Sequence, residues 1–360
     1  MSLKVLVIDD SAYNRQVISD ILNSHPDIEV VGKADDGEQG LKWAASLQPD
    51  LITLDIEMPR MDGFTFLRVL MSRMPTPVIV ISSHSRKQEV FQALELGALD
   101  FIAKPERYLP PESDRLRDDI LRKTLAVKAL QVVPFRNRTS KAEPTVASAS
   151  SAQPTQRTTQ PDAASLERLV AIGASTGGPP ALQSLFKTID AAPNTAFFVT
   201  QHMPEKFTRA FADRLNRVSS LDVLEAEDGM SVEAGVVHVA PGGMHMRVVA
   251  ESGLHVRLEP SSPEDRYVPS IDRMLTSVAE LRRLDTMGVI LTGMGADGAS
   301  GIREIFASGG LCVAESQESA IVFGMPKEAI RTSCIHEVLH LEEIIGRIHR
   351  FVGARNADSA

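Results

Sequence analysis

Cysteine is nearly absent from this chain: Cys312 and Cys334 are the only two among 360 residues. That argues against a disulfide-stapled extracellular scaffold. Each thiol sits in an apolar, strand-like run, the setting of a packing residue in a reducing compartment. No apolar stretch approaches the ~20 residues of a membrane-spanning helix. The opening, MSLKVLVIDD, reaches acidic residues after a few apolar ones, so it reads as a first strand and not as a signal peptide. Excess positive charge is missing as well. Lysine and arginine number 38 against 47 aspartates and glutamates, a net charge of −9, with no long basic run. Nonspecific binding to nucleic acid is therefore disfavoured. The second half has no compact helix-turn-helix pattern, which argues against a transcription factor. No internal repeat is present. Together these absences point to a cytoplasmic protein without nucleic-acid partners or direct membrane insertion.

What is present suits two domains, or three, with real cores. The composition, 43% hydrophobic and 24% charged, is ordinary for a globular chain. Residues 1–132 alternate strand and helix patterns. Apolar runs at Val5–Ile8, Val30–Lys33, Leu51–Leu54, Val78–Ile81 and Phe101–Ala103 have strand length, and Val17, Ile18, Ile21 and Leu22 form one helical stripe. Five near-continuous apolar strands with helices between them predict an α/β fold, a doubly wound parallel sheet. A helical pattern from Asp114 to Leu130 closes this unit. Residues 133–165 then turn rich in Pro, Ser, Thr, Ala and Gln and lose their large apolar side chains. Such a stretch cannot bury enough surface to offset its ordering entropy, so it reads as a flexible or disordered linker. From 166 to 355 strands and helices alternate again. The glycine-punctuated segments VVHVAPGGMHMRVV and LHVRLEP are expected to form antiparallel hairpin strands.

Functional groups of a doubly wound sheet gather at the carboxyl ends of its strands. In the first unit those ends carry Asp9-Asp10, Asp55, Ser82-Ser83 and Lys104-Pro105. Three converging carboxylates repel one another unless a cation joins them, and hard oxygen donors suit Mg²⁺. A carboxylate can also accept a phosphoryl group as an acyl phosphate. With the motifs VIDDS, TLDIEMPRMDG, VISS and FIAKP, this unit resembles a response-regulator receiver domain, which has a flavodoxin-like fold. The resemblance implies that Asp55 accepts phosphate and that Asp9, Asp10 and Asp55 hold Mg²⁺. It also implies that Ser82 and Lys104 fill the conserved hydroxyl and lysine positions, and that Phe101 is the aromatic switch residue. On the family pattern the Lys104–Pro105 bond is expected to be cis, an uncommon state even for X–Pro.

In the second half, LVAIGASTGGPP combines a strand-length run, a glycine turn bearing Ser175, and the start of a helix. This is the context of a G-x-S-x-G nucleophile elbow. Glycine-rich strand-to-helix turns also bind phosphates, so a phosphorylation-gated nucleotide-binding or adaptor module remains an alternative. Two more polar side chains follow predicted strands: His202 after Phe197–Thr200, and Asp297 after Gly288–Leu291. Imidazole suits the base that a serine hydroxyl needs, and a carboxylate suits the group that fixes its tautomer. Each residue singly also has a plain reading, Ser175 and Asp297 as helix caps and His202 as a packing histidine. Glycines near Met294 and Thr176 let their backbone N–H groups approach a developing oxyanion. The order Ser, His, Asp differs from the Ser, Asp, His order of hydrolase-fold enzymes.

Through IGASTGGPPAL, QHMP with FTRAFADRLN, HVAPGGMHM, LTGMGADGA and VFGMPKEA, residues 166–350 resemble the catalytic domain of the chemotaxis receptor methylesterases, the CheB-type family. The resemblance implies Ser175 as nucleophile, His202 as base, Asp297 as orienting acid and the Met294 backbone as oxyanion donor. It implies hydrolysis of glutamate γ-methyl esters on the cytoplasmic helices of methyl-accepting chemoreceptors, with deamidation of receptor glutamines by the same path. A chemotaxis-type histidine kinase would supply the phosphoryl group that relieves blocking by the receiver. No cofactor is implied in the catalytic domain. Elsewhere, His336-Glu337-Val338-Leu339-His340 matches the H-E-x-x-H zinc motif, but it is expected to straddle a strand end and a loop, not a helix. His238, His245 and His255 have surface or packing roles by default. Arg209 and Arg214 are open to two readings, contact with an acidic receptor helix or a solvated helix face.

Overall fold

A computed structural model describes residues 2–83, 87–104, 114–128, 166–190 and 192–353. The expected linker at 133–165 and the Lys104–Pro105 bond lie outside the described residues. The first unit runs β1 (Leu3–Ile8), α1 (Ala12–Asn23), β2 (Ile28–Ala34), α2 (Gly37–Leu47), β3 (Leu51–Leu54), α3 (Gly63–Arg73), β4 (Val78–Ser83), α4 (Lys87–Glu95), β5 (Asp100–Lys104) and α5 (Asp114–Lys128). Its five strands are parallel in the order β2-β1-β3-β4-β5, the flavodoxin-like arrangement. Helices on both faces bury the strands, and all four residues of β3 are buried. Local chemistry sets the helix starts. Ser11, Asp36 and Asp62 precede α1, α2 and α3, and each side chain accepts a first-turn backbone N–H.

The second unit begins with β6 (Arg168–Ala174), α6 (Gly178–Thr188), β7 (Thr195–Gln201), α7 (Phe207–Val218), β8 (Asp222–Glu225) and β9 (Val236–Val239). Next come β10 (Met244–Ala250), β11 (Leu254–Pro260), α8 (Ile271–Ala279), β12 (Asp285–Ile290) and α9 (Ala299–Ala307). It closes with β13 (Leu311–Glu315), α10 (Met325–Arg331), β14 (Glu337–Leu339) and α11 (Leu341–Gly353). Seven parallel strands form one sheet in the order β14-β13-β12-β6-β7-β9-β8. Every residue of β6 and β7 is buried, as the centre of such a sheet requires. Among the described strands, only β10 and β11 pair antiparallel. The segment VVHV, expected in a hairpin, instead pairs parallel with β7 as β9. Four apolar-alternating residues look alike in either setting, and burial of His238 against Phe198, with ring centroids 5.3 Å apart, belongs to the main sheet.

Candidate active site

Strands β12, β6 and β7 lie side by side and end at one edge of the sheet. The chain leaves β6 for β7 on one side and later returns to β12 on the other. Such a reversal opens a crevice at the carboxyl ends. Ser175 follows β6, His202 follows β7, and Asp297 lies beyond β12, just ahead of α9. Ser175 Oγ is 3.2 Å from His202 Nδ1, and His202 Nε2 is 2.8 Å from Asp297 Oδ2. A proton on Nε2, facing the carboxylate, leaves the Nδ1 lone pair aimed at the serine hydroxyl.

The turn around Ser175 is shaped by its glycines. Gly177 has a φ of 79°, and a Cβ there would come within 2.7 Å of Ile321. A Cβ on Gly178 would sit 2.0 Å from Gln201 Oε1. Gln201 in turn donates to the carbonyls of Ser175 at 2.9 Å and His202 at 3.2 Å, tying together the ends of β6 and β7. The Gly178 N–H donates to the Ser175 carbonyl at 2.7 Å. An amide committed inside the turn is not offered to a phosphate, which weakens the nucleotide-binding reading. The 292–294 segment runs alongside. The Ser175 N–H donates to Thr292 O at 3.0 Å, and Thr292 Oγ1 donates to Thr176 O at 2.9 Å. Gly293, just before Met294, lies against the serine, and a Cβ there would come within 2.7 Å of Ser175 Cβ.

Asp297 is 3% exposed. Besides His202, its carboxylate accepts the N–H groups of Ile271 at 2.8 Å and Asp272 at 2.9 Å, and the Ser270 hydroxyl at 3.2 Å. Burial opposes its charge, but His202 and the two amides outweigh burial and hold the carboxyl below its ordinary range. Tyr267 stacks on the imidazole, with centroids 5.0 Å apart and planes 6° from parallel. Gln201, Tyr267 and Asp272 escaped the sequence reading. Along the chain the only signal in this segment is local: Ser270, two residues before Asp272, carries an N-cap signature for α8.

The first unit holds its own polar cluster. Carboxylate oxygens of Asp9, Asp10 and Asp55 lie within 4.8 Å of one another. Lys104 Nζ bonds Asp55 at 2.5 Å and Asp9 at 3.3 Å. Burial, with repulsion from Asp55, pushes the Asp9 carboxyl up to about 6 despite Lys104. The two carboxylates raise Lys104 against its burial. Ser82 Oγ, also buried, has no hydrogen-bond partner among the described residues.

Comparison with known proteins matches both units of the chain. The family model for CheB methylesterase matches residues 170–348, and that for the response regulator receiver domain matches residues 5–109. A Geobacter sulfurreducens protein named protein-glutamate methylesterase/protein-glutamine glutaminase 3 is 48% identical over 354 residues, 95% of each chain. The chain belongs to the CheB methylesterase family. A Myxococcus xanthus relative, protein-glutamate methylesterase/protein-glutamine glutaminase 1, is 47% identical over 95% of each chain. The crystal structure of the Thermotoga maritima CheB methylesterase catalytic domain is 37% identical, covers 52% of this chain and 99% of its own, and has a TM-score of 0.49.

In this family member the receiver packs directly beside the serine turn. Thr176 Oγ1 donates to Asp100 of the receiver at 2.6 Å, and Asp100 is also paired with Lys123 at 2.8 Å. Phe101 lies 4.8 Å from Phe207, and Phe91 stacks on Phe211 at 5.8 Å. Arg214 pairs with Glu95 and lies 5.9 Å from the Phe91 ring centroid, so it faces the receiver. Arg209 is on the exposed side and pairs with Glu227. Met294, Ile321 and Val322 join the apolar cluster that contains Ile102, Leu116 and Ile120 of the receiver.

The remaining sequence motifs find structural roles. Within the H-E-x-x-H match, Glu337–Leu339 form β14, so the two histidines do not share a helical face. His336 Nδ1 accepts the Cys312 N–H at 3.0 Å and its ring packs on Phe306. His245 is buried, bonded to Asp265 at 3.0 Å and to the Ser270 N–H at 3.1 Å. Cys312 and Cys334 are free thiols, and burial pushes Cys312 up to about 12. Among the described residues no helix is long and apolar enough to cross a membrane.

Proposed function

We propose that this protein hydrolyses glutamate γ-methyl esters on the cytoplasmic helices of chemoreceptors, releasing methanol, and that its receiver gates the reaction. The observation that carries the reading is the continuous bond path from Ser175 Oγ through His202 to Asp297. His202 Nδ1 takes the hydroxyl proton as Ser175 Oγ attacks the ester carbonyl. The oxyanion forms beside the backbone amides of Met294 and Thr176. His202 returns the proton to the methoxy leaving group, and methanol departs from the acyl-enzyme. Water, deprotonated by the same imidazole, then releases the glutamate and the serine. Asp297 holds the Nε2 proton in place and stabilises the imidazolium. A receptor glutamine can follow the same path with ammonia as the leaving group.

Gating rests on burial. Ser175 is 3% exposed and its neighbour Thr176 is bonded to the receiver, so a receptor helix cannot reach the hydroxyl in this arrangement. Phosphorylation of Asp55 by a chemotaxis-type histidine kinase is the event that loosens the contact. The donor set of Asp9, Asp10 and Asp55 is all carboxylate and suits Mg²⁺, and the Ser82 hydroxyl, without a partner among the described residues, leaves a donor for a phosphoryl oxygen. When bound, the ion offsets negative charge on the phosphoryl group. Lys104 supplies a fixed positive charge to the same oxygens, and Phe101, packed on Phe207, links this pocket to the second unit.

The test is methanol release from methylated chemoreceptor by the full chain, with and without a small phosphodonor and Mg²⁺. Release should rise with phosphodonor and fall by at least ~1000-fold in Ser175→Ala. Absence of methanol with a receptor known to carry methyl esters would defeat the reading.

A further inference from the structure

Two carboxylates meet behind the imidazole, and only Asp297 touches it. Asp272 is the second residue of α8, half-buried, and its Oδ1 accepts the N–H groups of Gly298 at 2.9 Å and Gly301 at 2.7 Å. Gly298 is the N-cap of α9 and has no side chain with which to cap that helix itself. Asp297, immediately before Gly298, does the converse for α8 by accepting the N–H groups of Ile271 and Asp272. Each helix start is thus capped by a carboxylate belonging to the other. The helices meet closely enough that a Cβ on Gly301 would lie 2.4 Å from Leu275 Cβ.

Resting on the Ser175–His202–Asp297 reading, we infer that Asp272 is a positioning residue, holding α9 against α8 so that the Asp297 carboxylate keeps one oxygen on His202 Nε2. The physical basis is a shortage of freedom. Asp297 Oδ2 bonds both His202 and the Ile271 N–H, and Oδ1 bonds the Asp272 N–H and the Ser270 hydroxyl. The plane of the carboxylate is then fixed by α8. The position of its Cα is fixed by the Gly298 N–H one residue away, which Asp272 holds. Without that acceptor, two helix-start amides lose their partner and the segment carrying Asp297 is free to shift. A displacement near 1 Å at a triad member costs on the order of 100-fold in rate. Asp272 never reaches Ser175 or the substrate, so its contribution passes entirely through Asp297.

The full chain is compared as wild type, Asp272→Ala and Asp272→Asn. Asparagine keeps an oxygen acceptor for Gly298 and Gly301, whereas alanine removes it. In the methanol-release assay with phosphodonor, alanine should lower kcat by ~10–100-fold with KM changed by less than about twofold, and asparagine should stay within about threefold of wild type. A second readout does not depend on substrate. With ¹⁵N-labelled histidine, the His202 ring signals, assigned by their loss in His202→Gln, should report a single Nε2–H tautomer in wild type and asparagine. In alanine they should broaden or show mixed tautomers. If the alanine protein does not fold, Asp272→Ser, which is too short to span both amides, carries the same expectation. Wild-type kcat in the alanine or serine protein would overturn the inference. So would equal losses in asparagine and alanine with unchanged His202 signals. Failure of the wild type to release methanol would instead count against the hydrolase reading, and the His202 signals would still decide the role of Asp272.

Discussion

Asp9 is buried beside Asp55, and its carboxyl is pushed up to about 6 from 3.8. The native state therefore binds this proton more tightly than the unfolded chain does. Stability contributed at this site is present at low pH and lost as pH rises from about 4 through 6. Each pKa unit corresponds to about 1.36 kcal/mol, so the ionised carboxylate costs the metal-free receiver ~3 kcal/mol at neutral pH. Asp9→Asn removes the charge and keeps the oxygen that accepts the Ser11 N–H, now at 2.9 Å. Lys104 loses one partner but retains Asp55. The net expectation is a gain of roughly 1–2 kcal/mol for the variant, or roughly 4–8 °C in the receiver transition. Calorimetry of the full chain in EDTA measures it, with the receiver transition recognised as the one that Mg²⁺ shifts in wild type. The gain should be full at pH 7.5 and vanish near pH 5, where Asp9 is protonated. Mg²⁺ should stabilise wild type more than the variant, and the variant should lose stimulation by phosphodonor. An unchanged or lowered midpoint at pH 7.5, or a gain that persists undiminished at pH 5, refutes the reasoning.

Two further outcomes follow from other contacts. Gly178→Ala drives a methyl group into Gln201 Oε1, displacing the amide that ties Ser175 to His202, so phosphodonor-stimulated kcat should fall by ~10–100-fold while the circular dichroism spectrum is kept. Glu95→Arg sets two cations together at the receiver contact, where Arg214 now pairs with Glu95. Since this pair is partly exposed, the repulsion is worth about 1 kcal/mol, and methanol release without phosphodonor should rise roughly fivefold. Adding Arg214→Glu should reverse the rise, and a double variant as active as the single one would show that the pair does not hold the receiver in place.

Much of this protein was legible along the chain because its signals are local. Apolar runs buried on both faces marked β1, β3, β6 and β7. Parallel topology then placed Asp9, Asp55, Ser175 and His202 at strand ends, since a parallel sheet gathers those ends at one edge. The glycines after Ser175 announced a turn whose backbone has no room for side chains. Other features depend on residues that meet only through folding. The segment 236–239 was read as part of a hairpin because alternation does not name a strand's partner. Along the chain nothing marks Asp272, since its partners Gly298 and Gly301 are more than twenty residues away. Asp100 and Arg214 could not be assigned until the receiver and the second unit were seen in contact. Sequence alone determined the two chemistries, a carboxylate pocket and a serine–histidine–aspartate set, because each requires particular side chains at strand ends. Only the tertiary structure decided how they are coupled. Thr176 bonds Asp100, and Phe207 packs on Phe101, through contacts that no periodicity encodes.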